Sequence, residues 1–178
     1  VHSPNRIIVI DDFSRGKFKN LESALKSNKL EIIDGDITDK ELIFNVTKNI
    51  DFLFHFAAIR ITRCAEEPRL AHEVLATGTV NLLEAAVKNK IKKIISASSA
   101  SIYGLADKFP TKEIQHPYNN RTLYGAIKCY NEGLLRSYCD MYDLEYVVLS
   151  YFNVYGLRMY IYGGYTEVML SWLEKLYH

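Results

Sequence analysis

Tyr124 and Lys128 are the two residues whose types and spacing point most directly to chemistry. Four residues apart on a helix, they share one face, with Cβ atoms about 5–6 Å apart. An ammonium group beside a phenol favours the phenolate, so Tyr124 could act as a general base. Lowering the phenol pKa from about 10 to about 7 requires about 4 kcal/mol. The pair alone is weak evidence, because 13 of the 178 residues are tyrosine, and a surface tyrosine on an amphipathic helix is the alternative.

Small or polar residues follow every predicted strand of the chain. In chain order they are Asp11, Asp36, Ala57-Ala58, Ser98-Ser99 and Asn153. An open parallel sheet binds its ligand beyond the carboxyl ends of its strands. We therefore expect these residues to line one site.

The apolar pattern predicts strands that alternate with helices. Strands are predicted at residues 7–10, 31–33, 52–56, 93–97 and 146–149. Helices are predicted from a Thr38–Glu41 capping box to about Asn49, from Pro68 to about Asn89, and from Leu123 to about Tyr142. This alternation implies right-handed crossovers, and so an α/β fold with a doubly wound parallel sheet that helices cover on both faces.

Composition and charge narrow the class of protein. The chain is 48% hydrophobic and 24% charged, with a net charge of +1, which is ordinary for a soluble α/β protein. Its longest basic cluster, at residues 88–93, indicates a solvated loop rather than a nucleic-acid patch. No apolar run approaches the ~20 residues of a membrane span, and the first residues lack the pattern of a signal peptide. We expect a cytoplasmic protein without nucleic-acid or membrane partners.

The three cysteines, Cys64, Cys129 and Cys139, form no CxxC motif. An odd number of widely spaced cysteines indicates reduced thiols rather than a disulfide framework. Neither the cysteines nor the histidines have the spacing of zinc ligands, so no metal site is predicted.

Three segments place the tyrosine–lysine pair in a longer pattern. Residues 98–104 read SSASIYG, residues 124–128 read YGAIK, and residues 150–156 read SYFNVYG. In this order and spacing they resemble the extended short-chain dehydrogenase/reductase family of nucleotide-sugar epimerases and dehydratases, closest to its UDP-glucose 4-epimerase-like members. Residues 11–14, 35–37, 55–58 and 78–85 also match the family pattern, so the resemblance extends from about residue 7 to residue 158.

The resemblance implies catalytic roles for three residues. Tyr124 matches the catalytic base, and Lys128 matches the lysine that binds the nicotinamide ribose and lowers the pKa of the tyrosine. Ser99 matches the serine or threonine that hydrogen-bonds the sugar 4-hydroxyl. A capping serine at the end of a strand is the alternative for Ser99.

The resemblance also implies a Rossmann-type domain with NAD as its cofactor. Asp11 matches the acid that accepts the adenosine ribose hydroxyls, and a carboxylate there favours NAD over NADP because it repels a 2′-phosphate. The other implied cofactor contacts are Asp36 and Ile37 at the adenine, Phe56, Ala57 and Ala58 at the pyrophosphate and ribose, and Tyr151 and Phe152 at the nicotinamide. Asn153 matches a contact to the nucleotide-sugar substrate. For the two aromatic residues, core packing is the alternative.

The chain departs from the family pattern in three respects. Leu75 stands where most relatives carry an asparagine, and Ser150 stands where an arginine is usual. The glycine-rich phosphate loop belongs about 20 residues before the acid at Asp11, and none of the nine glycines forms such a loop. We therefore expect a sheet that is incomplete at both ends. The missing element is the family's first strand, which would lie between the strands that end at Asp11 and at Ala57-Ala58.

Two regions are expected on this basis. Residues 1–156 would form the NAD-binding domain, and residues 157–178 would begin a substrate-binding lobe. Within the second region the apolar residues Val168, Met169, Trp172, Leu173 and Leu176 have helical spacing.

The family's reactions share a first step, in which the tyrosine takes the 4-hydroxyl proton and a hydride leaves C4. Dehydratases carry an Asp-Glu pair after the catalytic threonine, and decarboxylases carry a glutamate at the second of these positions. Here the two positions are Ala100 and Ser101. The resemblance therefore implies an NAD-dependent 4-epimerase for UDP-hexoses, homodimeric at full length. A 4,6-dehydratase, a decarboxylase and a non-catalytic remnant are the alternatives.

Overall fold

The computed structural model describes residues 3–115 and 119–158, together with residues 172, 173, 175 and 176. These last four residues are helical. The rest of the predicted helix beyond residue 158, including Val168 and Met169, lies outside the described residues. The division into regions 1–156 and 157–178 stays a prediction.

Five parallel strands form two separate ladders. Strand β1 (Ile7–Asp11) pairs with β2 (Leu30–Asp34), while β4 (Lys93–Ser99) pairs with both β3 (Phe52–His55) and β5 (Glu145–Tyr151). Among the described residues no backbone ladder joins β1–β2 to β3–β4–β5. The five predicted strands and their parallel pairing are confirmed. The break between the two ladders falls where the sequence predicts that a strand is missing.

The described helices include the three that the apolar periodicity predicts and one short helix, at Ile61–Glu66, that it does not. They are α1 (Lys40–Val46), α2 (Ile61–Glu66), α3 (Pro68–His72), a π-helical turn (Glu73–Thr77), α4 (Gly78–Lys88) and α5 (Leu123–Tyr142), with 3₁₀ turns at Phe18–Leu21 and Ala100–Tyr103. The π-helical turn joins α3 to α4 without a break, because the flanking residues His72 and Gly78 keep helical backbone angles. In the described part of the chain no helix is long and apolar enough to cross a membrane.

Helices α1, α4 and α5 share the main core with the β3–β4–β5 ladder. Helices α1 and α5 both contact α4, and the main core gathers Ile43, Leu53, Leu83, Ile94 and Leu135 between helices and strands. The other face of the ladder carries the exposed side chains of Phe52, Phe54, Val147 and Leu149. The connection from β1 to β2 forms only a 3₁₀ turn and supplies no helix for the second face.

Helix α1 begins one residue later than its predicted capping box. Asp39 is the N-cap, and its carboxylate accepts the backbone N–H of Leu42 at 2.9 Å. The predicted cap, Thr38, instead donates its backbone N–H to Asp36 Oδ1 at 2.8 Å. That Asx turn uses the backbone of Thr38 before the helix starts, so the next acceptor along the chain caps it.

Candidate functional site

The start of α5 brings Tyr124 to the end of β4. Thr122 caps the helix by accepting the Gly125 N–H at 3.1 Å. Asn120 ties this start to the 3₁₀ turn after β4 by donating to Ser101 O at 2.6 Å. A Cβ on Gly125 would lie 2.7 Å from Ser101 O, so glycine is what allows the helix to approach the turn this closely.

Ser99 ends β4 and has two contacts. Its hydroxyl oxygen accepts the backbone N–H of Ser101 at 3.1 Å and so caps the 3₁₀ turn. Its hydroxyl also lowers the pKa of the nearby Tyr124 phenol. The capping role that the sequence left as an alternative and the proximity to Tyr124 therefore occur together. Tyr151 lies beside Ser99 in the ladder of β4 and β5.

Lys128 is buried close to the Tyr124 ring. Its side chain is only 4% exposed, and its Nζ donates to Ala97 O at 2.8 Å while lying 5.7 Å from the centroid of the Tyr124 ring. Burial lowers the pKa of Lys128 to about 8, against the opposing influence of Cys64 and Glu132. An ammonium with this pKa is still mostly charged at pH 7.

The pKa of Tyr124 lies above the ordinary value of a phenol. Burial is the main cause, the hydrogen bond from Ser99 lowers the pKa, and Cys64 raises it slightly. The resemblance assigns the lowering of this pKa to Lys128, and that role stays a prediction. In this structure the Lys128 ammonium donates to the Ala97 carbonyl.

Asp11 lies at the end of β1 with its carboxylate enclosed by the following turn. Its Oδ1 accepts the backbone N–H of Phe13 at 2.8 Å, and Phe13 has a positive φ of 48°. A Cβ on Gly16 would lie 2.7 Å from the same oxygen. The turn thus closes over a carboxylate only because residue 16 is glycine.

Asp36 and Ile37 follow β2, which is the neighbour of β1. Asp36 is held by the Asx turn to Thr38, and the Gly35 N–H donates to Asp11 O at 3.1 Å. The Ile37 side chain is buried against Gly78 of α4. Asn81, which the sequence did not single out, donates to the carbonyls of Ile37 and Thr38, each at 3.1 Å.

The remaining predicted contacts lie at or just beyond the ends of β3 and β5. Phe56 and Ala58 after β3 are exposed, and Ala57 packs on the main core. Tyr151, Phe152 and Asn153 are also exposed, which disfavours core packing as the role of the two aromatic residues. Phe152 lines a cleft of about 460 Å³ together with Tyr103 and the segment 111–114.

The predicted residues therefore fall into two groups at the carboxyl ends of the two ladders. Asp11, Asp36 and Ile37 follow β1–β2, and the others surround β3–β4–β5. Helix α2 packs against α5. Its Cys64 influences the pKa of Lys128, and the pKa of its Arg63 is raised by the hydrogen bond and charge of Glu67, with a further contribution from Asp12.

Three buried polar residues beside Lys128 were not predicted as site residues. They are His55, Thr79 and Asn131, which form one hydrogen-bonded group with the Leu75 carbonyl. The apolar pattern of the sequence could not identify these three residues, because a polar residue within a predicted helix or strand is normally assigned to the solvent-exposed face. The described residues contain no group of three or more His, Cys, Asp or Glu side chains that could hold a metal ion.

Comparisons with known proteins agree with the fold and with the pattern of the site. The family model described as "NAD dependent epimerase/dehydratase family" matches residues 2–178. The chain is 36% identical over 155 residues to a UDP-glucose 4-epimerase of Mycolicibacterium smegmatis, covering 85% of this chain and 49% of that protein.

Solved structures give the same result. The UDP-N-acetylglucosamine 4-epimerase of Methanobrevibacter ruminantium, in complex with UDP-N-acetylmuramic acid, superposes with a TM-score of 0.89 at 31% identity, over 97% of this chain and 55% of that one. The UDP-glucose 4-epimerase of Thermus thermophilus, in complex with NAD, superposes with a TM-score of 0.79 at 30% identity, over 88% of this chain and 50% of that one.

A parallel α/β fold with polar residues gathered beyond the carboxyl ends of its strands is typical of dinucleotide-binding proteins. The chain belongs to the NAD-dependent epimerase/dehydratase family. It spans about half the length of the relatives that it matches.

Proposed function

We propose that the protein is an NAD-dependent nucleotide-sugar 4-epimerase of the UDP-hexose class that acts through a transient 4-keto sugar. The observation that carries this proposal is the position of Tyr124 beside the end of β4, where Ser99 lowers its pKa and the Lys128 ammonium lies 5.7 Å from the centroid of its ring. The relatives named UDP-glucose 4-epimerase support it.

The three residues would divide the proton chemistry between them. Tyr124 as phenolate takes the proton of the sugar 4-hydroxyl, and Ser99 hydrogen-bonds the same hydroxyl and the phenol. Lys128 keeps a positive charge close to the ring and favours the phenolate. Asn153, exposed just beyond β5, would contact the nucleotide sugar.

The residues present fit NAD. Asp11 offers a carboxylate in a turn that only glycine at residue 16 allows, and a small side chain at Ala58 leaves its loop open to close approach. Asp11, Asp36 and Ile37 would hold the adenosine, Phe56, Ala57 and Ala58 the pyrophosphate and ribose, and Lys128, Tyr124, Tyr151 and Phe152 the nicotinamide ribose and ring. The chemistry that the cofactor supplies when bound is reversible acceptance of a hydride from C4.

Epimerisation is favoured over dehydration by the residues after Ser99. Ala100 and Ser101 form the 3₁₀ turn, and neither offers a carboxyl group that could remove a proton from C5 or protonate a leaving hydroxyl at C6. With no such acid or base in the turn, the simplest fate of a 4-keto sugar is return of the hydride to its opposite face. That return inverts C4.

The test is to incubate the full-length protein and NAD separately with UDP-glucose, UDP-N-acetylglucosamine, UDP-glucuronate and dTDP-glucose. Proton NMR of the products distinguishes an inverted C4 from a 4-keto-6-deoxy sugar. We expect inversion of a UDP sugar by the wild type and none by Tyr124→Phe. Formation of a 4-keto-6-deoxy sugar, or no conversion of any substrate, would refute the proposal.

We also propose a cytoplasmic homodimer for the full-length protein. The three free cysteines suit a reducing compartment, and the exposed Tyr130, Met141 and Tyr142 on α5 offer apolar surface for a second copy. Light scattering of the full-length protein at several concentrations tests the dimer.

A further inference from the structure

A buried polar cluster, formed by His55, Thr79 and Asn131 with the Leu75 carbonyl, joins α5 to the π-helical turn and to β3. Asn131 is 5% exposed, and its Nδ2 donates to Leu75 O at 2.8 Å and to Thr79 Oγ1 at 3.2 Å. His55 Nε2 lies 2.9 Å from the same Thr79 oxygen. Buried polar groups are costly unless they are hydrogen-bonded, so this cluster fixes the spacing of the three elements.

The direction of each hydrogen bond follows from a count of protons. Thr79 donates its single hydroxyl proton to Leu75 O at 2.6 Å and therefore accepts from His55 Nε2. His55 is thus the neutral tautomer with its proton on Nε2. Burial, followed by the charge of Lys128, lowers the pKa of His55 to about 3, so it does not become a second cation beside the lysine.

Asn131 lies one helical turn beyond Lys128 on α5. The helix position that Asn131 fixes is therefore the position from which Lys128 reaches Ala97 O and Tyr124 reaches Ser99. Both of these contacts end on β4, so a small shift of α5 would change both. The titratable groups that face Lys128 are Tyr124 and Glu132 on α5, His55 on β3 and Cys64 on α2.

We propose that Asn131 is a positioning residue for the catalytic pair, acting by holding α5 against the π-helical turn. This inference rests on the proposed function. Without the amide, α5 shifts relative to β4, so that Lys128 moves away from Ala97 O and Tyr124 moves away from Ser99, whose hydroxyl lowers the Tyr124 pKa. Since misplacement by about 1 Å can cost about 10²-fold in rate, we expect kcat to fall by about 10- to 10²-fold, with KM almost unchanged.

A purely structural role for Asn131 would predict lost stability only, and Asn89 offers a matched control. Asn89 Nδ2 also donates to one backbone carbonyl, of Phe44 at 2.9 Å, and to one threonine hydroxyl, of Thr47 at 2.8 Å. It lies at the end of α4, away from the catalytic pair. Asn131→Leu and Asn89→Leu therefore each remove the same two kinds of hydrogen bond.

The experiment measures the thermal stability, the tyrosinate absorbance against pH, and kcat and KM of both full-length variants. The contribution of Tyr124 to the absorbance is isolated by repeating each titration in a Tyr124→Phe background. We expect both variants to lose stability, and only Asn131→Leu to raise the Tyr124 midpoint, by about one pH unit, and to lose turnover. A Tyr124 midpoint and a kcat that match those of Asn89→Leu would overturn the proposal.

Two further points keep the test decisive. If Asn131→Leu does not fold, Thr79→Val replaces it, because it removes one acceptor of the amide while leaving Asn131 in place, and the same two outcomes apply. Because the titration needs no turnover, a shifted midpoint in a protein that epimerises no sugar would refute the proposed function and still support the positioning role.

Discussion

Replacing Ser99 with alanine should move the activity of the full-length enzyme to higher pH. The Ser99 hydroxyl is the group that lowers the pKa of Tyr124 in a buried setting that otherwise raises it. A hydrogen bond to a charged group contributes about 1.5–3 kcal/mol. At about 1.4 kcal/mol per pH unit, its loss raises the Tyr124 pKa by about 1–2 units.

The sign follows from the role of Tyr124 as base. The base acts as phenolate, so activity is lost as the pH falls through its pKa, and a raised pKa moves this acid limb upward. At pH 7 the variant should therefore lose about 10- to 10²-fold in kcat/KM, and it should recover part of that loss at higher pH.

The assay is the pH profile of kcat/KM for the wild type, Ser99→Ala and Ser99→Thr. The threonine variant keeps the hydroxyl and should keep the wild-type acid limb, while alanine also removes the cap on Ser101 and costs about 1 kcal/mol of stability. An acid limb of Ser99→Ala at the wild-type position would refute the assignment of Tyr124 as the base that Ser99 tunes.

Four further outcomes are expected. Tyr124→Phe should lower kcat by about 10² or more and leave NAD affinity almost unchanged in calorimetry; near-normal turnover would contradict the role of base. Gly125→Ala places a Cβ 2.7 Å from Ser101 O and should lower kcat about tenfold or more, whereas Gly133→Ala, on the same helix with open space around it, should not; equal rates for both would contradict the account of close packing. Residues 1–178 alone should lack a sharp thermal transition, because one face of the β3–β4–β5 ladder is exposed and the ladders are not joined; a cooperative transition of the monomer, followed by circular dichroism, would contradict this. The same 178 residues should bind NAD about 10³-fold or more weakly than the full-length protein, since several charge-assisted hydrogen bonds of a glycine loop are lacking; calorimetric titration of both decides, and equal affinities would show that the cofactor is placed wrongly.

The strands and the long helices could be predicted because their apolar residues repeat with the period of each element. The helix predicted from Pro68 to about Asn89 corresponds to α3, the π-helical turn and α4 in succession. The π-helical turn itself was not predicted from the sequence. The start of α1 was misplaced because Thr38 and Asp39 are both good caps, and only the Asx turn at Asp36 decides between them.

The candidate site was predictable in part. Motif spacing marked Ser99, Tyr124 and Lys128, and the structure brings these three together. The buried cluster around Asn131 was not predictable, because its partners come from β3 and α4 and become neighbours only after folding. The target of the Lys128 ammonium could not be predicted either, because a backbone carbonyl is available at every residue and only tertiary packing selects Ala97.

The interrupted ladder has a consequence for the local stability of the two halves of the site. Strand β4 is paired on both sides, whereas β1 is paired only with β2 among the described strands, so amide hydrogen exchange should be slowest in β4 and much faster in β1. Ser99 therefore ends the most protected strand, and Asp11 ends one of the least protected. Binding of adenosine should slow amide exchange chiefly in and around β1 and β2. The bound ligand would then contribute to the local stability of these two strands.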